Sequence, residues 1–528
     1  SLDGSLELWR TDSQQLKLTG LIGVDHFQQK NELFFPPELN FEAVDDGLPG
    51  TALDNGADNL NVNGGINLVH TVRVADGTLG TLTSSIGFQQ EERELDTLQV
   101  ISRNQNAGQQ NVDTGTQLSL TARRELVRDR GLYLQEDALL LDDRLSLTAA
   151  VRAEQSSVNG EVSELFFYPK VAAAYRVPAL PNTIEELKVR AAYGETGNLP
   201  LYGQKFTALV ANRNITGNPG LTSAGVAGEP DIIPERQREI EAGIDLVAFQ
   251  GDGVLELTVY QRTISDLLLE QTMAPSTGYL TRILNGGRLR NRGVELMLQA
   301  SPVKRGRFQW NSRIGFALNR SEITALPIPA FNTGGFGVAL GAFRIERGAS
   351  ATQIVGNDGP LPDGTCCAVR KLGDTEPTFR VFFLNAVNWG RLRANLLVDW
   401  QQGSDIINLT RFLYDLVANT PDWEAGRRRL TDFTENFQTG VYIEDATFVK
   451  VRELTLSYEL PTSLWSRAIP GLKTARFALS GRNLLTFTRY SGLDPEVSNF
   501  GNQPIARNID VAPFPPSRSY WASLELGF

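Results

Sequence analysis

Histidine is almost absent from this chain: His26 and His70 are the two copies in 528 residues. They lie far apart with no cysteine nearby, so neither metal-ligand spacing nor the commonest general base is on offer. Cysteine is equally scarce. Its two copies are neighbours, Cys366 and Cys367, in the run DGTCCAVRKLGD. A vicinal pair cannot staple distant segments, so the reading is either two loop thiols or a local ring. No stretch approaches the roughly 18 to 20 uninterrupted apolar residues that a membrane helix needs. Positive charge is not in excess either: 50 Lys and Arg against 61 Asp and Glu give a net charge of −11, which argues against a nucleic-acid partner. There is no serine nucleophile elbow, zinc motif or phosphate loop. An enzyme is therefore not expected, and no catalytic, cofactor-binding or metal residue is assigned. The chain runs from Ser1 almost directly into SLELWR with no basic and apolar leader, and is expected to be processed or incomplete at its N-terminus.

What the chain does have is period-two alternation. Near the C-terminus, Tyr520, Ala522, Leu524, Leu526 and Phe528 are apolar or small, while Ser519, Ser523, Glu525 and Gly527 lie between them. The same pattern recurs in segments of about 8 to 14 residues bounded by Gly, Asn, Asp or Pro. Leu145, Leu147, Ala149 and Val151 alternate with Arg144, Ser146, Thr148 and Arg152. Leu187 to Tyr193, Ile240 to Leu246, Leu255 to Val259 and Trp310 to Leu318 repeat it. The clearest case interleaves Leu392, Ala394, Leu396, Val398 and Trp400 with Arg391, Arg393, Asn395 and Asp399. Between Phe448 and Leu460 the apolar register changes phase, which predicts a β-bulge near Arg452 and Glu453.

A strand that must be greasy on one face and wet on the other, repeated many times with little helix between, points to a membrane-spanning barrel, because only helices and closed barrels satisfy the backbone in hydrocarbon. Tyr193, Trp310, Trp400, Tyr458, Tyr490 and Tyr520 fall near expected strand ends, as an interfacial girdle requires. Short connections, at Phe249 to Gly253 and at Lys304 to Gly306, alternate with long ones such as Gly194 to Gln204, Asn212 to Glu235, Ser321 to Thr378 and Gly403 to Ala446. Barrels of this type keep short turns on the periplasmic side and long loops outside.

Several runs together resemble a family. LKVRAAYGETGN (Leu187 to Asn198), ERQREIEAGIDL (Glu235 to Leu246), RNRGVELML (Arg290 to Leu298), YIEDATFVKVRELTLSYELP (Tyr442 to Pro461) and GRNLLTFTRYSGLDPEVS (Gly481 to Ser498) look like the C-terminal barrel of SusC/RagA-type TonB-dependent outer-membrane transporters. FFYPKVAAAYRV (Phe166 to Val177) fits as well, and the matches run in family order from roughly Leu132 to Phe528. Within them, the glycines and Asn198 of GETGN are expected to reverse the chain after a strand, and Gly293 to bend it as a strand begins. Arg482 and Asn483 are expected where a strand gives way to a loop.

The resemblance implies an all-β, transmembrane antiparallel β-barrel of about 22 strands in the family, of which roughly 18 to 20 are expected here. Residues 1–528 would be the receptor barrel, with the N-terminal plug, the TonB-contact segment and the first strands missing. It further implies a Gram-negative outer-membrane location and import of an oligosaccharide or peptide. The partners would be a SusD-like surface lipoprotein, TonB acting through the missing segment, and outer-membrane lipid. The lumen-facing polar candidates are Arg391, Arg393, Asn395, Asp399, Arg476 and Arg482. Tyr520, Leu524, Leu526 and Phe528 form the expected C-terminal outer-membrane signal. Two alternatives stay open: a plugless passive pore or surface anchor, and a soluble secreted all-β binding protein.

Overall fold

The computed structural model describes residues 1–528 except 40–41, 43–46, 75–79, 106–108, 179, 216–217, 465–468, 470, 499, 501–506 and 515, with backbone alone at 211–215 and 219. Among the described residues, 17 strands belong to one large antiparallel sheet. The remaining described strands, short ones in the connections, pair in small sheets of their own, and the large sheet comes close to the roughly 18 to 20 strands expected. Contacts divide the chain into two compact units. One comprises Ser1–Ala172, Gly194–Arg236 and Leu268–Asn285; the other comprises Ala173–Tyr193, Gln237–Leu267 and Gly286–Phe528.

In the first unit six strands pair in sequence order: β1 (Leu2–Arg10), β2 (Gln14–Phe35), β3 (Thr51–Val74), β4 (Gly80–Arg103), β5 (Gln117–Leu140) and β6 (Leu145–Ser156). The register aligns Leu6, Leu18, Leu68, Ile86, Leu134 and Val151 in one row across all six. One residue along, Ser5, Thr19, Asn67, Gly87, Tyr133 and Arg152 form a row on the other face. Because side chains alternate, one face is an aliphatic band and the other a hydrogen-bonding wall. Tyr133 lies over Gly87, where any Cβ would collide with its ring, and its hydroxyl donates to Asn67 Oδ1 at 2.8 Å. The strands β3, β4 and β5 each run 24 residues. At about 3.3 Å per residue and about 40° of tilt, such a strand rises about 60 Å, more than twice the roughly 25 Å of an apolar membrane band. The excess is polar, as in Gln89 to Glu94 of β4.

In the second unit eight strands pair consecutively: Gly253–Ser265, Arg288–Arg305, Phe308–Ala325, Phe379–Trp389, Leu392–Gln402, Phe448–Glu459, Thr474–Thr488 and Ser519–Gly527. Near the short-turn end the register lines up Phe308, Trp389, Leu392, Tyr458, Phe477 and Leu524. Toward the long-loop end it lines up Leu296, Phe316, Val381, Trp400, Val449 and Phe487 on the same face. Phe379 packs against Phe316 and Trp400, with ring centroids 5.8 and 4.9 Å apart. From Leu392 to Trp400 the chain advances about 26 Å, or about 20 Å after tilt, close to the apolar height between two aromatic girdles. Between the rows lie Ala394, Leu396 and Val398, and the one amide on that face opposite Leu396, Asn385, accepts from Trp310 Nε1 at 3.1 Å.

The expected strands fall inside these elements and inside two further strands of the large sheet, Ile184–Asn198 and Glu235–Ala248, and the bulge appears where the phase slips, between Val451 and Glu453. Other local expectations need correction. Gly293 sits inside the unbroken strand Arg288–Arg305 rather than at a bend. It makes room for the Tyr260 ring, whose hydroxyl donates to Asn319 Oδ1 at 3.1 Å. GETGN does not reverse the chain: it is the end of β8 (Ile184–Asn198), where Gly197 lies under Tyr168 of β7 (Phe166–Arg176). Arg482 and Asn483 lie within the strand that ends at Thr488, Asn483 taking a left-handed φ of 52° beside the bulge. Tyr490 belongs to no girdle. It is buried with Ile406 and Ala446, and its hydroxyl donates to Asp510; burial and that carboxylate hold the phenol protonated.

The long connections are folded. Residues 331–374 carry a four-stranded sheet, and Gly403 to Ala446 carries two helices the alternation did not predict, α1 (Leu409–Leu416) and α2 (Trp423–Thr434). The Asn408 side chain caps α1 by accepting from Arg411 N at 2.9 Å. Fully buried Asp415 takes two 2.8 Å hydrogen bonds from Arg429 of α2 and one of 3.1 Å from the Tyr442 hydroxyl. In the loop at residues 359–368, Cys366 and Cys367 lie side by side with their sulfurs in contact.

Candidate functional site

The bulge concentrates charge on the polar face of the second unit. Register sets Lys450 opposite Asp399, Val451 opposite Val398 and Glu453 opposite Leu397, leaving Arg452 as the extra residue. Its guanidinium turns to Asp399, donating to Oδ2 from Nη2 at 2.6 Å and from Nε at 3.1 Å. The segment after Thr488 comes back to meet these side chains. Lys450 Nζ donates to Asp494 Oδ1 and Glu496 Oε2, both at 2.6 Å, and Arg452 Nη2 donates to Glu496 Oε1 at 2.8 Å. Arg380 approaches Asp399 at 3.3 Å and Glu496 at 3.7 Å. Beneath them the buried Phe448 ring faces Lys450 Nζ at 4.9 Å and the Arg452 guanidinium at 5.4 Å.

Lys450 is 4% exposed, a burial that an ammonium tolerates only when paired. Three cations thus balance three carboxylates, and the loop carrying Asp494 and Glu496 is latched to the strands. Burial alone would push the Glu496 carboxyl up, but its bonds to Arg452 and Lys450 outweigh that and hold it below its ordinary value. A lowered carboxylate stabilises the latch above its unfolded pKa of about 4.3 and loses that contribution as pH falls through the folded value. Amides of residues 490–498 are therefore expected to be protected at pH 7, relative to their intrinsic exchange rates, and to lose that protection below about pH 4. Beside the latch is a cavity of about 790 Å³, walled by Asn291, Asn319, Glu376, Arg380 and Gln401 and faced by Glu496 and Arg507.

The sequence-derived candidates divide as follows. Asp399 is in the latch. Arg393, opposite Asn388 and Ser457, and Asn395, opposite Ala386 and Thr455, share its face. Arg476 pairs with Glu525 at 3.0 Å and Arg482 with Glu453 at 3.2 Å, again on that face by register. Arg391 stands apart: it lies in the turn after Gly390, where its carbonyl accepts from Glu459 N at 3.0 Å. Tyr520, Leu524 and Leu526 sit on the apolar face opposite Gly481, Phe477 and Ala475, and Phe528 follows the last strand residue, Gly527. Alternation did not identify Arg380, Lys450, Arg452, Asp494 or Glu496. The available signal was KVRE breaking phase at the bulge, with DPEVS as its acidic counterpart.

A two-faced sheet of consecutive antiparallel strands, an apolar band between aromatic rows and large folded loops at one end can now be set beside known proteins. The family model described as TonB dependent receptor-like, beta-barrel matches residues 3–484. The chain belongs to that family. The match begins well ahead of Leu132, where the sequence resemblance was first visible. TonB-dependent receptor P26 of Formosa agariphila is 26% identical over 454 residues, 73% of this chain and 45% of that protein. TonB-dependent receptor SusC of Bacteroides thetaiotaomicron is 22% identical over 451 residues, 73% of this chain and 42% of that protein. The chain thus spans less than half the length of these curated relatives. Among solved structures, the RagAB peptide transporter superposes with a TM-score of 0.77 at 20% identity, covering 100% of this chain and 61% of the other. The receptor barrel is accordingly an outer-membrane β-barrel that crosses the membrane with strands. No helix among the described residues is long and apolar enough to cross.

Proposed function

We propose that this receptor barrel is the transmembrane part of an outer-membrane importer that carries oligosaccharides or peptides through a polar lumen. The observation that carries the reading is the register: Arg393, Asn395, Asp399, Arg476 and Arg482 share one face while the opposite face is an aliphatic band. A wall of ion pairs and amides keeps a solute hydrated, and the loops, which hold helices and small sheets, are large enough to capture it. The relative named SusC and the peptide transporter RagAB support this reading, a SusD-like surface lipoprotein as partner, and TonB as energy source through a plug outside these residues. The chemistry is transport, with no reaction catalysed.

The test uses the full-length protein in its own cell. Deleting the gene is expected to abolish growth on one oligosaccharide or peptide nutrient, and removing TonB function is expected to do the same. Growth that survives loss of TonB, together with uptake of fluorescent oligosaccharides by protein-containing liposomes, would instead establish a passive pore.

A further inference from the structure

The latch places a carboxylate where a solute's carboxylate would go. Glu496 is held by Lys450 and Arg452, with Arg380 3.7 Å away, and of the three carboxylates it is the one that lines the adjoining cavity of about 790 Å³, as Arg380 does among the cations. The other two carboxylates have separate anchors. Asp399 is on the strand Leu392–Gln402 and accepts from Arg452 Nε and Nη2, while Asp494 accepts from Lys450 and, within its own loop, from the backbone Glu496 N at 2.8 Å, a bond that does not involve the Glu496 side chain. Releasing Glu496 would leave Arg380 and Arg452 short of one negative charge, beside Arg507 at the cavity edge. The rest of the wall carries the amides of Asn291, Asn319 and Gln401 and one further carboxylate, Glu376, which accepts from Asn319 Nδ2 and from Ser321. A guanidinium pair with flanking amides binds a carboxylate by charge-assisted hydrogen bonds while pairing with neutral polar groups beside it. The volume is that of an ordinary ligand pocket.

We infer that Arg380, Arg452 and Lys450 form a subsite for a carboxylate-bearing solute, and that Glu496 occupies it as an internal competitor until the solute arrives. This rests on the importer reading, which supplies a solute passing this wall, and goes beyond it in naming the charged group recognised. Exchange of one carboxylate for another conserves the charge balance, so the Glu496 side chain is displaced while the loop stays in place and buried Lys450 keeps Asp494. Uronate-bearing oligosaccharides and acidic peptides both present the required group.

The test is calorimetric titration of the full-length protein in detergent with trigalacturonate, triglutamate, maltotriose and a capped trialanine. One or both acidic probes are expected to bind, with affinity falling as sodium chloride is raised, and the probe that binds identifies the source of the carboxylate. Glu496→Gln is expected to tighten that binding about tenfold by removing the competitor, and Arg380→Gln, at an exposed position, to weaken it about tenfold. Heat-modifiable migration of each variant on a detergent gel confirms that the barrel is folded. Equal binding of acidic and neutral probes, no binding of any probe, or unchanged affinity in folded Glu496→Gln would overturn the inference. Growth dependence on the gene and on TonB judges the importer reading separately.

Discussion

Replacing Asp415 with alanine is expected to loosen the helical loop between Gly403 and Ala446 by about 3 kcal/mol, the lower end of the cost of breaking a buried ion pair from one side. Asp415 has no exposed surface and receives two bonds from Arg429 and one from the Tyr442 hydroxyl. Without it, the Tyr442 phenol, which burial and Asp415 keep protonated, has lost its acceptor. Arg429 retains Asp422, at 2.9 and 3.0 Å, which limits the loss. The strands do not share this contact, so the effect is local. Hydrogen exchange is expected to quicken by about a hundredfold across α1 and α2 while the strand amides keep their protection.

Leu396→Arg is expected to destabilise the barrel in bilayers by about 2 to 4 kcal/mol, whereas Asn395→Arg is expected to change it by less than about 0.5 kcal/mol. The two residues are chain neighbours on opposite faces. Leu396 lies opposite Asn385 and Leu454, midway between the row containing Leu392 and the row containing Trp400. A guanidinium there meets acyl chains at the greatest distance from either interface. Asn395 lies opposite Ala386 and Thr455, on the face that already carries Arg393 and Asp399. Urea unfolding of the two variants in liposomes, followed by tryptophan fluorescence, measures the difference.

The strand Leu392–Gln402 was legible because pairing against a two-sided environment imposes strict alternation, and eleven residues suffice to show it. The bulge was legible for the same reason: an inserted residue flips the register, and the sequence around Arg452 flips with it. The latch left no such trace, because Lys450 and Glu496 are 46 positions apart and meet through a loop whose path no local pattern encodes. Glycine misled for a related reason. Gly293 was read as a bend in its own strand, whereas the constraint comes from Tyr260 on the neighbouring strand. The helix α1 escaped because its eight residues lie between strand-like segments and its start is set by one Asn408 side chain.

The most direct measurement of the two-faced sheet is a single-cysteine scan from Leu392 to Trp400 in liposomes, with Cys366 and Cys367 replaced by serine. Labelling by a membrane-impermeant maleimide is expected at 393, 395, 397 and 399, with quenching by brominated lipid confined to 394, 396 and 398. Uniform labelling along the segment, or lipid quenching at the odd positions, would contradict an apolar face turned to lipid and a polar face turned to water.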